Sequence, residues 1–353
     1  MNETLPQGAA NNTGTSPRSQ DSEVTLTEVA ERAGVSLSTA SRVFARPGRV
    51  SIRTRQRVLA VAQAMGYQSS SLDAPVSNGL QGSLAIVVTD LENIVSARIA
   101  RGLQEACYRR NFGVNILDTE ESSERELLAL RRILPHVDGA VLGSSRLSDT
   151  AIRRFAQSKP LVVLNRVVPG VASIFSNDAP AIQNVVRDLD RLGHRSIAYL
   201  PGPENSWQNV WREKALSQAC QEAGITFRRM PCAYPVASQA AKSFHYYSEH
   251  PTSAVLAFND DIAIAFLQFV QAQAQNSSSR LDRNIAIVGI DDIPGCQLVT
   301  PQLSSVHVEH RKMGMLAADM LIDTVVHAQP HSLDHQPLGL VSQYSPRGTT
   351  RGV

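Results

Sequence analysis

From residue 82 onward, short continuous apolar runs alternate with stretches of helical periodicity. "LAIVV", "FGVNIL", "GAVLG" and "PLVVLN" make the first half of this rhythm, with helical patterns around 98–110, in "SERELLALRRIL" and in "SDTAIRRFAQS". "PLVVLN" is read as closing that half, and the rhythm resumes in "SIAYLPG", "AVLAFND" and "AIVGIDD". A strand without polar alternation is buried on both faces, and strands joined through helices pair in parallel. Residues 82–353 are therefore expected to form an α/β body of two doubly wound parallel sheets.

In such sheets ligands bind outside the carboxyl ends of the strands. Asp90 stands at the end of "LAIVVT", Ser144 after "GAVLG" and Asn165 after "PLVVL". Asn259 and Asp260 follow "AVLAF", and Asp291 and Asp292 follow "AIVGI". Arg212 comes just beyond "IAYLPG", within the next helix. If the two sheets face each other, these groups converge on one cleft. Carboxylates, amides and a guanidinium suit a polyhydroxylated ligand, because each can bond two adjacent hydroxyls. A helix cap or a turn is the alternative role for Asn259 and Asp291, and Asp260 and Asp292 are read as structural.

The region before the body has a different grammar. "TLTE" at 25–28 has the form of a capping box, with Thr25 as N-cap and Glu28 at the third helical position. Leu26, Val29, Ala30 and Ala33 follow at helical spacing, and Gly34 ends the helix. Ser36 caps a second helix running to about Phe44, and "RPGR" breaks the chain. Ser51 caps a third helix, with Val58, Leu59, Ala62 and Met65 on one face. Three short helices with a Gly-containing turn between the first two describe a helix-turn-helix, whose second helix enters the major groove. In "GVSLSTASRV" that second helix places Leu37, Ser38, Ser41 and Arg42 on one face and Ala40, Val43 and Phe44 on the other. Between 24 and 67 the basic residues are Arg32, Arg42, Arg46, Arg49, Arg53, Arg55 and Arg57, against Glu28 and Glu31 only. Although the whole chain carries a net charge of only +2, this local excess points to a polyanionic partner, and the helix-turn-helix makes that partner double-stranded DNA.

Several classes are excluded on the same grounds. Residues 1–23 contain no apolar segment, so they read as a disordered tail rather than a secretory signal. No run is long enough to cross a membrane, and the expected setting is the cytoplasm. The four cysteines, Cys107, Cys220, Cys232 and Cys296, are scattered and form no CxxC pair, which gives no metal site and no cofactor. No P-loop, G-x-S-x-G or G-x-G-x-x-G stands in its proper context, and His194 and His307 have no nucleophile beside them in the pattern, so an enzyme is not expected.

"VTLTEVAERAGVSLSTASRVF" and "VSIRTRQRVLAVAQAMGY" resemble the DNA-binding headpiece of the lactose-repressor family of bacterial regulators, with Ala40 as the main departure in the first block. "LPGPENSWQNVWREKAL", "FNDDIAIA" and "VGIDDI" are similar to that family's body blocks. The resemblance implies a tail (1–23), a headpiece (24–68), a hinge (69–81) and an effector-binding and dimerising body (82–353) of periplasmic-binding-protein type. Within the body, the first subdomain would span roughly 82–176 plus 308–330, and the second roughly 177–307 plus the C-terminal segment. It implies a homodimer on a pseudo-palindromic operator, acting as a repressor controlled by a small effector, a sugar or sugar acid. The alternative is a solute-binding protein of periplasmic type with no role in transcription.

By the same resemblance, Leu37, Ser38 and Arg42 read bases, while Thr25, Ser36, Thr39, Ser41, Arg49, Ser51, Arg53 and Thr54 hold the DNA around them. Arg212, Asn259 and Asp291 contact effector, Tyr234 stacks on it, and Asp90, Ile94, Val95, Ser144 and Asn165 complete the pocket. The hinge departs from the family. In "YQSSSLDAPVS" Pro75 and Asp73 oppose the helix that the family folds into the minor groove, which leaves either a plain flexible linker or Leu72 or Val76 as a weaker wedge. No leucine heptad follows "RGTTRGV", so a tetramer built on a C-terminal coiled coil is not expected.

Overall fold

The computed structural model describes residues 24–45, 50–65, 67, 80–234, 236–274, 285–327 and 336–350. They belong to two units, one within 1–75 and one within 76–353. The tail read over 1–23, most of the hinge and its Leu72, Asp73, Pro75 and Val76 lie outside the described residues.

The first unit is three helices: α1 (Leu26–Arg32), α2 (Leu37–Ala45) and α3 (Ile52–Met65). Each starts where a side chain satisfies amides left open at a helix N-terminus. Thr25 and Glu28 close a reciprocal capping box on α1. Ser36 Oγ accepts from Thr39 N at 3.2 Å at the start of α2, and Ser51 Oγ from Thr54 N at 3.3 Å at the start of α3. Gly34 takes φ +64°, which only glycine adopts at no steric cost, and turns the chain between α1 and α2. Val29, Ala30, Ala33, Ala40, Val43, Val58 and Ala62 form the core, with Phe44 against Tyr67 at its edge. Leu59 does not join it. It is 43% exposed, because the α3 seam runs through positions 58, 62 and 65 and leaves 59 beside it.

The second unit holds two six-stranded sheets. The first contains β1 (Ser83–Val88), β2 (Gly113–Asp118), β3 (Gly139–Gly143), β4 (Leu161–Leu164), β5 (Ala172–Asn177) and β11 (Leu338–Val341), all parallel, in the order β11-β5-β4-β3-β1-β2. The second contains β6 (Ser196–Leu200), β7 (Thr226–Arg229), β8 (Ala254–Ala257), β9 (Ala286–Asp291), β10 (Ser304–His307) and β12 (Gln343–Ser345), in the order β12-β10-β9-β8-β6-β7 with β12 antiparallel. Around them pack α4 (Ile94–Arg109), α5 (Ser123–Ile133), α6 (Asp149–Ala156), α7 (Ala179–Arg191), α8 (Trp207–Ala223), α9 (Val236–Glu249), α10 (Asp260–Ala274), α11 (Gly295–Leu298) and α12 (His310–Val326). Among the described residues, no helix is long and apolar enough to cross a membrane.

Three expectations need correction. "PLVVLN" does not close the first half, because β5 follows it with Ser173 and Ser176 among its buried residues, a polar pattern that hides a strand. The helix placed at 98–110 begins at Ile94, where Asn93 Oδ1 accepts from Val95 N at 2.8 Å. The C-terminal segment does not go to the second subdomain as a whole: Leu338–Val341 joins the first sheet and only Gln343–Ser345 the second. The chain therefore passes between the two sheets three times, at Asp178, at 308–310 and at Ser342.

Helix α12 follows the second sheet in sequence but packs on the first, chiefly against α4. Two glycines make that approach possible. A Cβ on Gly314 would stand 2.0 Å from the Ile99 carbonyl oxygen, and one on Gly102 would stand 1.9 Å from that of Arg311.

Candidate functional site

On α2 the two faces separate as the spacing predicts. Ala40 and Val43 are buried, while Leu37, Ser38, Ser41 and Arg42 are exposed, Leu37 by 50%. Exposing a leucine to water is unfavourable by its area unless a partner covers it. Ser36 is occupied by its cap and by the Ser38 and Thr39 hydroxyls at 3.1 and 2.9 Å. The hydroxyls of Thr25, Ser51 and Thr54 likewise sit in capping bonds at helix starts. Each cap occupies one amide of the first turn, and the remaining open amides there are the arrangement that receives a phosphate. Arg53 and Arg57 on α3 are exposed, and neither they nor Arg42 has an ion-pair partner among the described residues. Arg49 lies outside those residues.

In the body, a cavity opens between the carboxyl ends of the two sheets. Seven of the expected residues line it: Val95, Ser144, Asn165, Arg212, Tyr234, Asn259 and Asp291. Ser144, Asn165 and Asp291 take φ of 56°, 56° and 109° at the ends of β3, β4 and β9. Left-handed backbone is costly for residues other than glycine, and such strain gathers at binding sites. Tyr234 stands half-buried in the loop before α9, and burial, with Glu121 next in effect, pushes its phenol up to about 12.

Two expected residues fall elsewhere. Asp90 does not line the cavity, since its carboxylate folds back to accept Glu92 N at 2.8 Å and closes the turn after β1. Ile94 sits on the opposite side of the α4 N-terminus, packed against the core of the second subdomain. Asn259 reaches the cavity, but its side chain also caps α10, accepting Ile262 N at 3.1 Å.

Arg212 is the centre of the site. It is 3% exposed, on α8. Its Nε donates to Asp178 Oδ2 at 2.8 Å, Nη1 to the Phe258 carbonyl at 2.7 Å, and Nη2 to Asp291 Oδ1 at 3.5 Å. The guanidinium also lies 4.9 Å from the centre of the Phe258 ring, a cation–π contact. Burial works against its charge, but Asp178 and Asp291 outweigh it and hold the group protonated beyond its ordinary range. His310 Nε2 bonds the same Asp291 oxygen at 3.1 Å.

The opposite wall was less legible in the sequence. Arg146, with its side chain 5% exposed, donates from Nε to Glu121 Oε2 at 2.6 Å. Gln208, one turn before Arg212, donates to Ser176 Oγ and, at 3.5 Å, to Asn165 Oδ1, so it reaches from the second subdomain to the first. Its Oε1 is buried and has no hydrogen-bond partner among the described residues, an acceptor that a hydroxyl in the cavity would satisfy. The signal that would have found Asp178 is the strand-end rule itself, applied to β5. Gln208 would have followed from its spacing of four residues before Arg212 on one helix face. Asp260 and Asp292, read as structural, are tied into the fold. Asp260 accepts Ser305 Oγ at 2.6 Å and Ile293 N at 2.9 Å, and Asp292 pairs with Arg347 at 2.7 Å.

Comparison with known proteins places two stretches of the chain. Residues 25–70 match the model of bacterial regulatory proteins of the lacI family, and residues 186–350 that of the periplasmic binding protein-like domain. The maltose regulon regulatory protein MalI of Escherichia coli (strain K12) is 28% identical over 336 residues, 88% of this chain and 95% of that protein. Among solved structures, the lac repressor dimer bound to operator and the anti-inducer ONPF superposes with a TM-score of 0.71 at 22% identity, covering 94% of this chain and all of that one. A complex of the transcriptional regulator CelR with cellobiose gives 0.65 at 24% identity, covering 93% and all of that chain.

Proposed function

The chain belongs to the lacI family of bacterial regulatory proteins, and from that premise we propose how it reads DNA and what controls it. It acts as a repressor. Arg42, Leu37 and Ser38 read base edges from α2: arginine through a bidentate bond to guanine, leucine through a thymine methyl, serine directly or through water. Thr39, Ser41, Arg53 and the amides at the capped starts of α2 and α3 hold phosphates and fix the register. One headpiece offers few contacts, so a homodimer on two half-sites is the working form. The edge strand β2 and the end of α4 before it leave Ile116 46% and Tyr108 86% exposed, apolar surface that a second copy would cover.

The effector is a polyhydroxylated molecule, a sugar or sugar acid, held between the two sheets. One observation carries this: a buried, charged Arg212 faces a cavity whose walls include Asp291, Asn165, Ser144 and Gln208, with Tyr234 and Phe258 beside them. Hydroxyl-bearing ligands match such a lining, and cellobiose in the CelR complex is of that class. The test starts from operator DNA selected out of a random pool by the full-length protein. Neutral sugars and sugar acids are then screened for a thermal shift and for a change in affinity on that DNA. The expected result is a palindromic operator and at least one sugar that alters its affinity. A selected site with no two-fold symmetry, or a screen in which no sugar changes either quantity, would count against the reading.

A further inference from the structure

The three passages between the sheets come together at one point. Asp178, in the first passage, is 0% exposed and lies behind Arg212, outside the cavity lining. Besides Arg212 Nε at 2.8 Å it accepts Ser342 Oγ at 2.6 Å, and Ser342 is the third passage. The Ser342 amide also donates to the Asn177 carbonyl at 3.3 Å. The second passage enters through His310, 2% exposed, whose Nε2 bonds Asp291 Oδ1 at 3.1 Å, the oxygen that Arg212 Nη2 approaches at 3.5 Å. Arg98, on α4 of the first subdomain, adds a tie beside it by donating to the Asp291 and Asp292 carbonyls at 3.1 and 3.3 Å. Three segments spread along the chain from residue 178 to residue 342 are thus joined through one guanidinium and two carboxylates.

We propose that Asp178 is a positioning residue that, with His310 and Ser342, wires the cavity-facing Arg212 and Asp291 to all three passages between the subdomains. The proposal rests on the cleft's being the effector site. A group that displaces Arg212 or Asp291 by bonding to them then moves the three passages together, and the angle between the sheets follows. Nothing in a network of this kind adjusts independently, because each buried charge depends on the same partners. The aromatic contact beside it reports on that angle. Phe175, on β5 of the first sheet, lies 5.7 Å from the Trp207 ring and 6.1 Å from that of Trp211, and these two, stacked at 5.3 Å, are the only tryptophans of the chain.

The test needs neither effector nor operator, so its failure is separable from failure of the functional reading. Amide hydrogen exchange on the full-length protein compares the wild type with Asp178→Asn, Ser342→Ala and Arg212→Lys. Asp178→Asn and Arg212→Lys are expected to accelerate exchange about tenfold in peptides over 176–180, 308–312 and 340–344 together, with the interior strands of both sheets unchanged. Both should also shift the tryptophan emission. Ser342→Ala should free 340–344 and 176–180 and leave 308–312 protected. A merely local role for Asp178 would confine its effect to 176–180 and 340–344. That outcome, or an Arg212→Lys protein that keeps all three peptides protected, overturns the proposal. Should Asp178→Asn lose protection throughout the sheets, Arg212→Lys and Ser342→Ala still decide it.

Discussion

Arg42 and Arg53 stand on adjacent helices and are both exposed, yet their places on those helices give them different work. Arg42→Ala is expected to lose discrimination at one base pair per half-site, a cost of about 1–3 kcal/mol on the specific operator alone. Arg53→Ala should weaken specific and random DNA alike and flatten the dependence of affinity on salt. Equal losses on both DNAs for both variants would remove the distinction. In the body, Asp260 sets a second prediction. Burial, then the nearby Asp291 carboxylate, push its carboxyl up to about 7 against the pull of Ser305 and the Ile293 amide. The folded state therefore holds that proton more tightly than the unfolded chain, where the ordinary value is 3.8. Its contribution is complete below about pH 4 and lost as pH rises through 7, on the order of 4 kcal/mol. Urea unfolding from pH 4 to 8 should show that decline, and Asp260→Asn should reduce it. An unchanged slope in the variant would place the titration elsewhere.

At the scale of elements, the α4–α12 crossing is the tightest requirement on the first subdomain. A methyl group at 314 meets backbone, which cannot rotate away, so Gly314→Ala should destabilise the body by about 1–3 kcal/mol with the headpiece unaffected. A differential scanning trace in which both units keep their midpoints would contradict this close approach. The elements also show what a sequence discloses. Capping residues Thr25, Ser36 and Ser51 mark three helix starts without help from tertiary structure, and "LAIVV" or "AVLAF" is a buried strand by composition alone. β5, β7, β10 and β12 are built from "ASIFSN", "TFRR", "SSVH" and "QYS", whose polar residues interrupt the apolar run that marks a buried strand. Missing β5 meant missing Asp178 at its end. The family resemblance puts Ile94 in the cleft, but helix α4 rotates it away while Val95 faces in.

For the whole molecule, the cleft and the headpiece are separate units whose cooperation is the point of the protein. The strand-end rule located Ser144, Asn165, Asn259 and Asp291, with Arg212 just beyond, because the topology puts every parallel strand's carboxyl end on one side, while Val95 and Tyr234 followed from the family resemblance. It was silent on Gln208, Arg146 and His310, which come from helices and loops and are recognisable only once the two sheets face each other. Arg212 links the scales. Replacing it with alanine would leave Asp178 and Asp291 as uncompensated buried carboxylates, so Arg212→Lys, which keeps the charge but not the two-sided fork, is the fairer probe. The most direct test of effector control is a fluorescence anisotropy titration of the selected operator with full-length wild-type and Arg212→Lys protein. Each is run with and without the sugar that gives the largest thermal shift. The sugar is expected to displace the wild-type isotherm by tenfold or more and to leave that of Arg212→Lys nearly in place, while both proteins bind sugar-free operator alike. A sugar that shifts both isotherms equally would contradict it.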